Sequence, residues 1–310
     1  MAAMTCLALI VLACFLAPLP MDPARRDPSP NTFFAPGAAG VVKNAAGAET
    51  TLTYSLGSDV SGRDLLVRVL EGGRVSIVVG LAAALFSLLI GTTVGLAAGY
   101  LGGAVDALLM RVVDVLYAIP RLLFILVVIA TLDGPFRQAL DAWRLGLNDS
   151  RRFDWPWLAS VMEDATPYSR IILMILCLGC IEWLTMARIV RGQVLVLKEQ
   201  PYVAAARAMG RKPWAIMRRH LLPNLWTVIL TYLTLTVPIV ILDESFLSFL
   251  GLGIEDPAAS WGALLKEGAS AINPIESRWW LLIFPAALMS LTLLALNFIG
   301  DGLRDAFDVR

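Results

Sequence analysis

The sequence predicts an all-α membrane protein, a polytopic bundle of six transmembrane helices, and three observations predict it. Hydrophobic residues make up 58% of the 310 and charged residues only 16%, with a mean hydropathy of +0.72, too apolar for a soluble domain of this size. The apolar residues gather in six runs near the ~20 residues that a helix needs to cross a bilayer. Between two of these runs lies Tyr202 to Asn224, YVAAARAMGRKPWAIMRRHLLPN, a cationic and partly amphipathic stretch.

Residues 1–20 hold the first run, read as an uncleaved span. A cleavable signal would carry positive charge before its apolar core, and none precedes Cys6. Residues 21–74 are rich in Pro, Gly, Asp and Thr and read as an extracytoplasmic segment, ending in a short amphipathic helix within Gly57 to Leu70. Residues 75–300 form the core, with spans at about 75–100, 107–132, 171–190, 225–250 and 279–299. Gly80, Gly91, Gly95 and Gly99 in the first of these allow close helix contact. Residues 133–170 are an outer insertion whose Trp143, Trp155 and Trp157 suit either interfacial anchoring or binding. A glycine-containing loop at 251–278 and a polar cytoplasmic tail at 301–310 complete the chain.

Charges inside the spans are costly unless they meet protein or water. Asp114 and Arg121, both in the span at about 107–132, are seven residues apart and so share a helix face. Together with Glu182 and Glu244 they are the candidates for a translocation path, against a plainer reading as structural pairs or side chains snorkelling to the interface.

In the basic stretch, Ala204, Ala205, Ala206 and Ala208 favour helix, Gly210 falls where a C-cap belongs, and Pro213 suits the first turn of a second helix. Trp214, Met217 and Leu221 recur at i, i+3 and i+7, Arg211, Lys212, Arg218 and Arg219 supply charge, and Pro223 is expected to end the helix. Residues 186–225 hold eight Lys or Arg against the single acid Glu199, whereas 133–170 hold five basic groups against six acids. The loop at 198–224 is therefore assigned to the cytoplasmic side. An interfacial helix held by anionic lipid headgroups would fit the same composition.

Enzyme chemistry has little material here. None of the four lysines is followed by Ser or Thr, so no phosphate-binding GxxxxGK[ST] loop exists. His220 is the single histidine, which removes HExxH zinc sites. Asp114 and Asp243 could form an intramembrane aspartyl pair, but nothing in the sequence brings them together. No metal site is expected, and Cys177 and Cys180 read as helix-packing residues inside an apolar run. A formal net charge of zero gives no sign of a nucleic-acid partner.

Ala204-Ala205-Ala206, then Gly210, then His220-Leu221-Leu222-Pro223 resemble the EAA loop of ABC-importer permeases. The chain is more specifically similar to the second permease subunit, of DppC/OppC type, of dipeptide and oligopeptide importers. Gly57 to Asp64 (GSDVSGRD), Ala187 to Lys198 (ARIVRGQVLVLK), Glu244 to Gly253 (ESFLSFLGLG), Ser260-Trp261-Gly262 and Asn297 to Asp308 (NFIGDGLRDAFD) each match a segment of that type, in order. Ala204 stands where the pattern has Glu, and His220 where Ile is usual.

The resemblance implies a type I importer permease fold in the inner (cytoplasmic) membrane. It also implies a mechanism, in which the loop docks on a separate cytoplasmic ATPase through Ala204, Ala205, Ala206, Gly210, Trp214, Met217, Arg218, Arg219, Leu222 and Pro223. The expected partners are a second homologous permease, two ATPase subunits that bind ATP and magnesium, an extracytoplasmic peptide-binding protein and membrane lipid. No cofactor is expected in this chain. A nickel chelate or murein peptide is an alternative cargo, and a stand-alone ion-coupled carrier or a membrane assembly scaffold is the alternative class.

Overall fold

The computed structural model describes residues 2–18, 21, 25–26, 32–43, 49–147, 169–254, 258–272 and 276–307. Its helices are α1 (Ala2–Leu16), α2 (Leu65–Leu101), α3 (Gly103–Tyr117), α4 (Arg121–Leu147), α5 (Ser169–Leu197), α6 (Pro201–Ala208), α7 (Pro213–Ile216), α8 (Leu222–Phe249), α9 (Trp261–Ser270) and α10 (Trp280–Phe307), with a π-helical turn, Met217–Leu221, joining α7 to α8. Among the described residues, five stretches are long and apolar enough to cross a membrane: Leu65–Leu101, Arg121–Trp143, Ser169–Leu197, Pro213–Phe249 and Trp280–Ala306. At 1.5 Å per residue, the 15-residue α1 reaches about 22 Å, shorter than a ~30 Å hydrocarbon core.

The chain divides into two compact units, residues 1–79 with 241–299, and residues 80–240 with 300–310. In the first unit, strands β1 (Ala39–Lys43) and β2 (Glu49–Thr53) pair antiparallel, with Ala39 opposite Thr53. The polar segment was read from sequence without this hairpin, because Ala-Gly-Val-Val-Lys is too short to separate strand from loop by pattern. Phe34 stacks on Tyr54 with ring centroids 5.1 Å apart. Gly40 leaves room for that stack, since a Cβ there would lie 2.6 Å from the Phe34 ring.

The GSDVSGRD segment folds around buried carboxylates. Asp59 Oδ1 accepts from the backbone N–H groups of Ser61 and Arg63. Asp59 Oδ2 meets Arg63 at 2.7 Å and Arg68 at 2.5 Å, and Arg68 reaches on to Glu267 at 2.8 Å. Asp64 pairs with Arg25 and accepts from the Leu66 N–H, which starts α2 ten residues earlier than the apolar run alone suggested. Trp261 is fully buried, and its indole N–H donates to the Val69 carbonyl at 3.1 Å. Gly73 admits it, since a Cβ there would meet the Trp261 ring at 2.6 Å and Cys14 Sγ at 2.7 Å.

In the second unit, α2 packs on α5 through a row of glycines spaced by four. A Cβ at Gly91, Gly95 or Gly99 would lie 2.6–2.8 Å from Met186, from the Ala187 carbonyl and Val190, or from Val194. Close approach of this kind is how helices associate where water supplies no driving force.

One expected span is corrected. Residues 107–132 do not form a continuous helix, because the chain leaves helical geometry between Tyr117 and Arg121. Pro120 has no N–H to donate and disfavours helical geometry at Ile119, so α3 ends and a new helix begins at Arg121. That helix runs on to Leu147, so the start of the expected insertion 133–170 is helical and Trp143 is an exposed helix residue. Trp155 and Trp157 lie outside the described residues.

Candidate functional site

The basic stretch folds as two short helices with a bend. Pro201 occupies the first turn of α6 after an extended Gln200. At the other end Gly210 adopts φ +72°, the Gly210 N–H donates to the Arg207 carbonyl at 2.9 Å, and the Arg211 N–H donates to the Ala206 carbonyl at 3.2 Å. This left-handed cap is what glycine supplies without steric penalty. Lys212 is extended and Pro213 opens α7, as the sequence predicts.

Pro223 does not stop the helix. The Leu222 N–H reaches back five residues to the Met217 carbonyl, so the backbone is widened just before Pro223 and continues into α8. In a regular α-helix the proline ring would press on the carbonyl of Arg219, four residues back, and the π turn relieves that clash. The extra residue also rotates the face that sequence spacing had assigned to Trp214, Met217 and Leu221. Trp214 is 67% exposed, Met217 is half-buried and Leu221 is buried.

The element therefore has two sides. Val203, Ala206, Ile216 and Leu221 are buried with Leu96, Val190, Val194, Leu225 and Ile229 in one apolar cluster. Ala204, Ala205, Met209, Gly210, Arg211, Lys212, Trp214, Arg218, Arg219 and Pro223 are exposed, and Leu222 is half-buried. Ala206 thus points inward, while Met209, 71% exposed, adds an apolar knob that the sequence reading did not single out. The His220 ring lies 6.4 Å from the Tyr202 ring, which ties the π turn to α6.

The charges singled out in the sequence are paired, although not as the seven-residue spacing implied, and Asp106 and Asp114 lie on α3, outside the five long apolar stretches. Asp114 and Arg121 sit on different helices. Asp114 accepts from Arg188 at 2.8 Å, and Arg121 donates to Glu182 at 2.8 Å. A third pair, Asp106 with Arg191, completes a row of three along α5. Arg121 and Glu182 line a cavity of about 340 Å³ with Tyr117 and Thr185. Glu244 is fully buried and accepts from Ser248 at 2.7 Å and Ser76 at 2.9 Å. Sequence reasoning passed over a polar cavity of about 330 Å³ in the second unit, lined by Gln193, Thr227, Thr231, Tyr232 and Arg304. Its only sequence signal is the hydroxyl-rich run from Thr227 to Thr236 inside a span. Among the described residues no group of three or more His, Cys, Asp or Glu could hold a metal ion.

Residues 91–310 match the family described as binding-protein-dependent transport system inner membrane component. The chain belongs to this family. The permease is 43% identical over 255 residues to the oligopeptide transport system permease protein OppC of Haemophilus influenzae, covering 82% of this chain and 70% of that one. It is 42% identical over 252 residues to the dipeptide transport system permease protein DppC of Bacillus subtilis, covering 81% and 67%. Its fold is that of an ABC-importer membrane subunit. A chain of the MetNI methionine ABC transporter aligns with a TM-score of 0.51 at 18% identity, covering 77% of this chain and 95% of that chain. The permease is thus a multi-pass inner-membrane transport subunit, in keeping with the five helices among the described residues that are long and apolar enough to cross a bilayer.

Proposed function

We propose that this permease is one half of the membrane pathway of an ATP-driven peptide importer, with a second homologous permease as the other half. The observation that carries the proposal is the two-sided bihelical element at 201–224. Its inward side is welded to the spans by Val203, Ile216 and Leu221, while its outward side presents Met209 and Trp214 among Arg211, Lys212, Arg218 and Arg219. An apolar anchor ringed by cations suits insertion into a groove on another protein. Two cytoplasmic ATPase subunits, which bind ATP and magnesium, are the partners this face would meet, and an extracytoplasmic binding protein would deliver cargo. Peptide is the cargo because the relatives at about 40% identity are oligopeptide and dipeptide permeases by name.

Rigid-body rocking of the spans follows if the ATPase moves this element, because it leads directly into α8 and follows α5. Arg121 and Glu182, beside one cavity, and the Thr227–Thr231–Tyr232 cavity are the polar surfaces available to a passing peptide. The test is co-purification with the partner subunits, followed by peptide-stimulated ATP hydrolysis in vesicles. Gly210→Pro combined with Arg218→Glu and Arg219→Glu is expected to abolish ATPase association and uptake. Normal assembly and uptake in that variant would sink the coupling reading.

A further inference from the structure

The bihelical element is fastened at a third place besides its two flanking spans, and that place is the end of α2. Lys198, just before α6, donates to the Gly99 carbonyl at 3.2 Å. The Arg207 guanidinium lies over the Tyr100 ring at 5.1 Å, with its Nε 3.4 Å from the Tyr100 hydroxyl. Leu96 belongs to the same buried cluster as Val203, Ala206, Ile216 and Leu221, and Tyr100 packs against it. The Gly91, Gly95 and Gly99 row then holds this end of α2 against α5 with no space for a methyl group.

We propose that Arg207 is a positioning residue that ties the bihelical element to α2 through Tyr100, so that movement of the element drives α2 together with α5 and α8. The inference rests on the coupling role proposed for 201–224. Each part of the contact has a physical reason. Residues 96 and 100 are one helical turn apart and face α6, which buries the tyrosine edge and presents its face to a cation. Lys198 places a cation among the last carbonyls of α2, where the helix dipole favours it.

The experiment uses the assembled transporter in vesicles and reads peptide imported per ATP hydrolysed, alongside retention of the ATPase on the purified permease. Arg207→Ala and Tyr100→Leu are each expected to keep ATPase retention and to lower import per ATP by roughly 2–5-fold, the range that an exposed cation–π contact supports. The double variant is expected to lose no more than either single one, since both remove the same contact. Arg207→Lys and Tyr100→Phe keep cation and ring and are expected to retain wild-type import per ATP, which separates the contact from a general folding defect. Wild-type import per ATP in both single variants, fully additive losses in the double variant, or loss of ATPase retention in Arg207→Ala would each overturn the proposal. The Gly210→Pro, Arg218→Glu, Arg219→Glu variant run in parallel distinguishes the two failures. If it assembles normally the coupling role itself fails, and if it does not, only the α2 tie is at stake.

Discussion

Asp106 and Arg191 meet head-on, with the arginine Nε 2.5 Å from Oδ1 and one terminal nitrogen 2.7 Å from Oδ2. This two-pronged geometry is the strongest that an arginine and a carboxylate make, and it fixes α3 against α5. The hydrogen bonds from Arg191 hold the Asp106 carboxyl below the ordinary aspartate range, against the opposing effect of burial. A carboxyl whose folded pKa is depressed stabilises the fold above its unfolded pKa, and that stability is lost as pH falls through the folded pKa. Asp106→Asn is therefore expected to be less stable than wild type at pH 7, by about 1 kcal/mol for a partly exposed pair. The gap should close as the pH drops below ~3.9. Melting temperature against pH for the two detergent-solubilised proteins checks this, and a gap that stays constant to pH 3 would refute it.

Gly95 faces the Ala187 carbonyl so closely that an added Cβ would lie 2.7 Å from it. Backbone cannot swing aside as a flexible side chain can, so Gly95→Ala is expected to destabilise by about 1–3 kcal/mol. Gly192 is the contrast, because nothing lies within 4 Å of a Cβ built there. Gly192→Ala is expected to gain up to about 1 kcal/mol from helix propensity. Comparing the melting temperatures of the two variants reads both signs in one experiment.

Asp59 is fully buried between Arg63 and Arg68. Removing one partner of a buried pair strands the other charges, so Asp59→Ala is expected to cost about 3–5 kcal/mol. Glu267→Gln keeps a neutral acceptor at the more exposed end of the same network and is expected to cost about 1 kcal/mol. Equal losses in the two variants, measured by thermal unfolding of the purified permease, would show that the network is not centred on Asp59.

What the sequence reveals and what it hides divide along the distance over which each feature is decided. The glycines at 91, 95 and 99 were legible because their spacing of four places them on one helix face whatever that face meets. The bend at Gly210 was legible because a left-handed cap is a local demand. Asp114 with Arg121 was misread because the seven-residue rule assumes an unbroken helix, and Pro120 lies between them. Pro223 was misread for the opposite reason, since a π turn let the helix survive a residue that ordinarily ends it. The link from Arg68 to Glu267 joins positions 199 apart, and no local pattern carries that information. GSDVSGRD and the SWG segment were visible as matches to a known family, yet only the fold places Arg68 of α2 and Glu267 of α9 in one network.

Trp214 and Ile216 are two residues apart and face opposite ways, one 67% exposed and one fully buried. They therefore separate stability from partner binding. Ile216→Ala opens a cavity beneath the bihelical element and is expected to cost about 2–5 kcal/mol of stability. Trp214→Ala removes an exposed side chain, so its effect on melting is expected within about 0.5 kcal/mol. A large exposed aromatic surrounded by cations is the kind of residue that dominates an interface, and its truncation is expected to weaken ATPase association by about 2 kcal/mol or more, roughly 30-fold. Titrating purified ATPase onto the permease in lipid nanodiscs measures that loss directly. If Trp214→Ala leaves the affinity unchanged while the charge reversals at Arg218 and Arg219 abolish it, the contact is electrostatic and the tryptophan is a lipid anchor at the membrane surface.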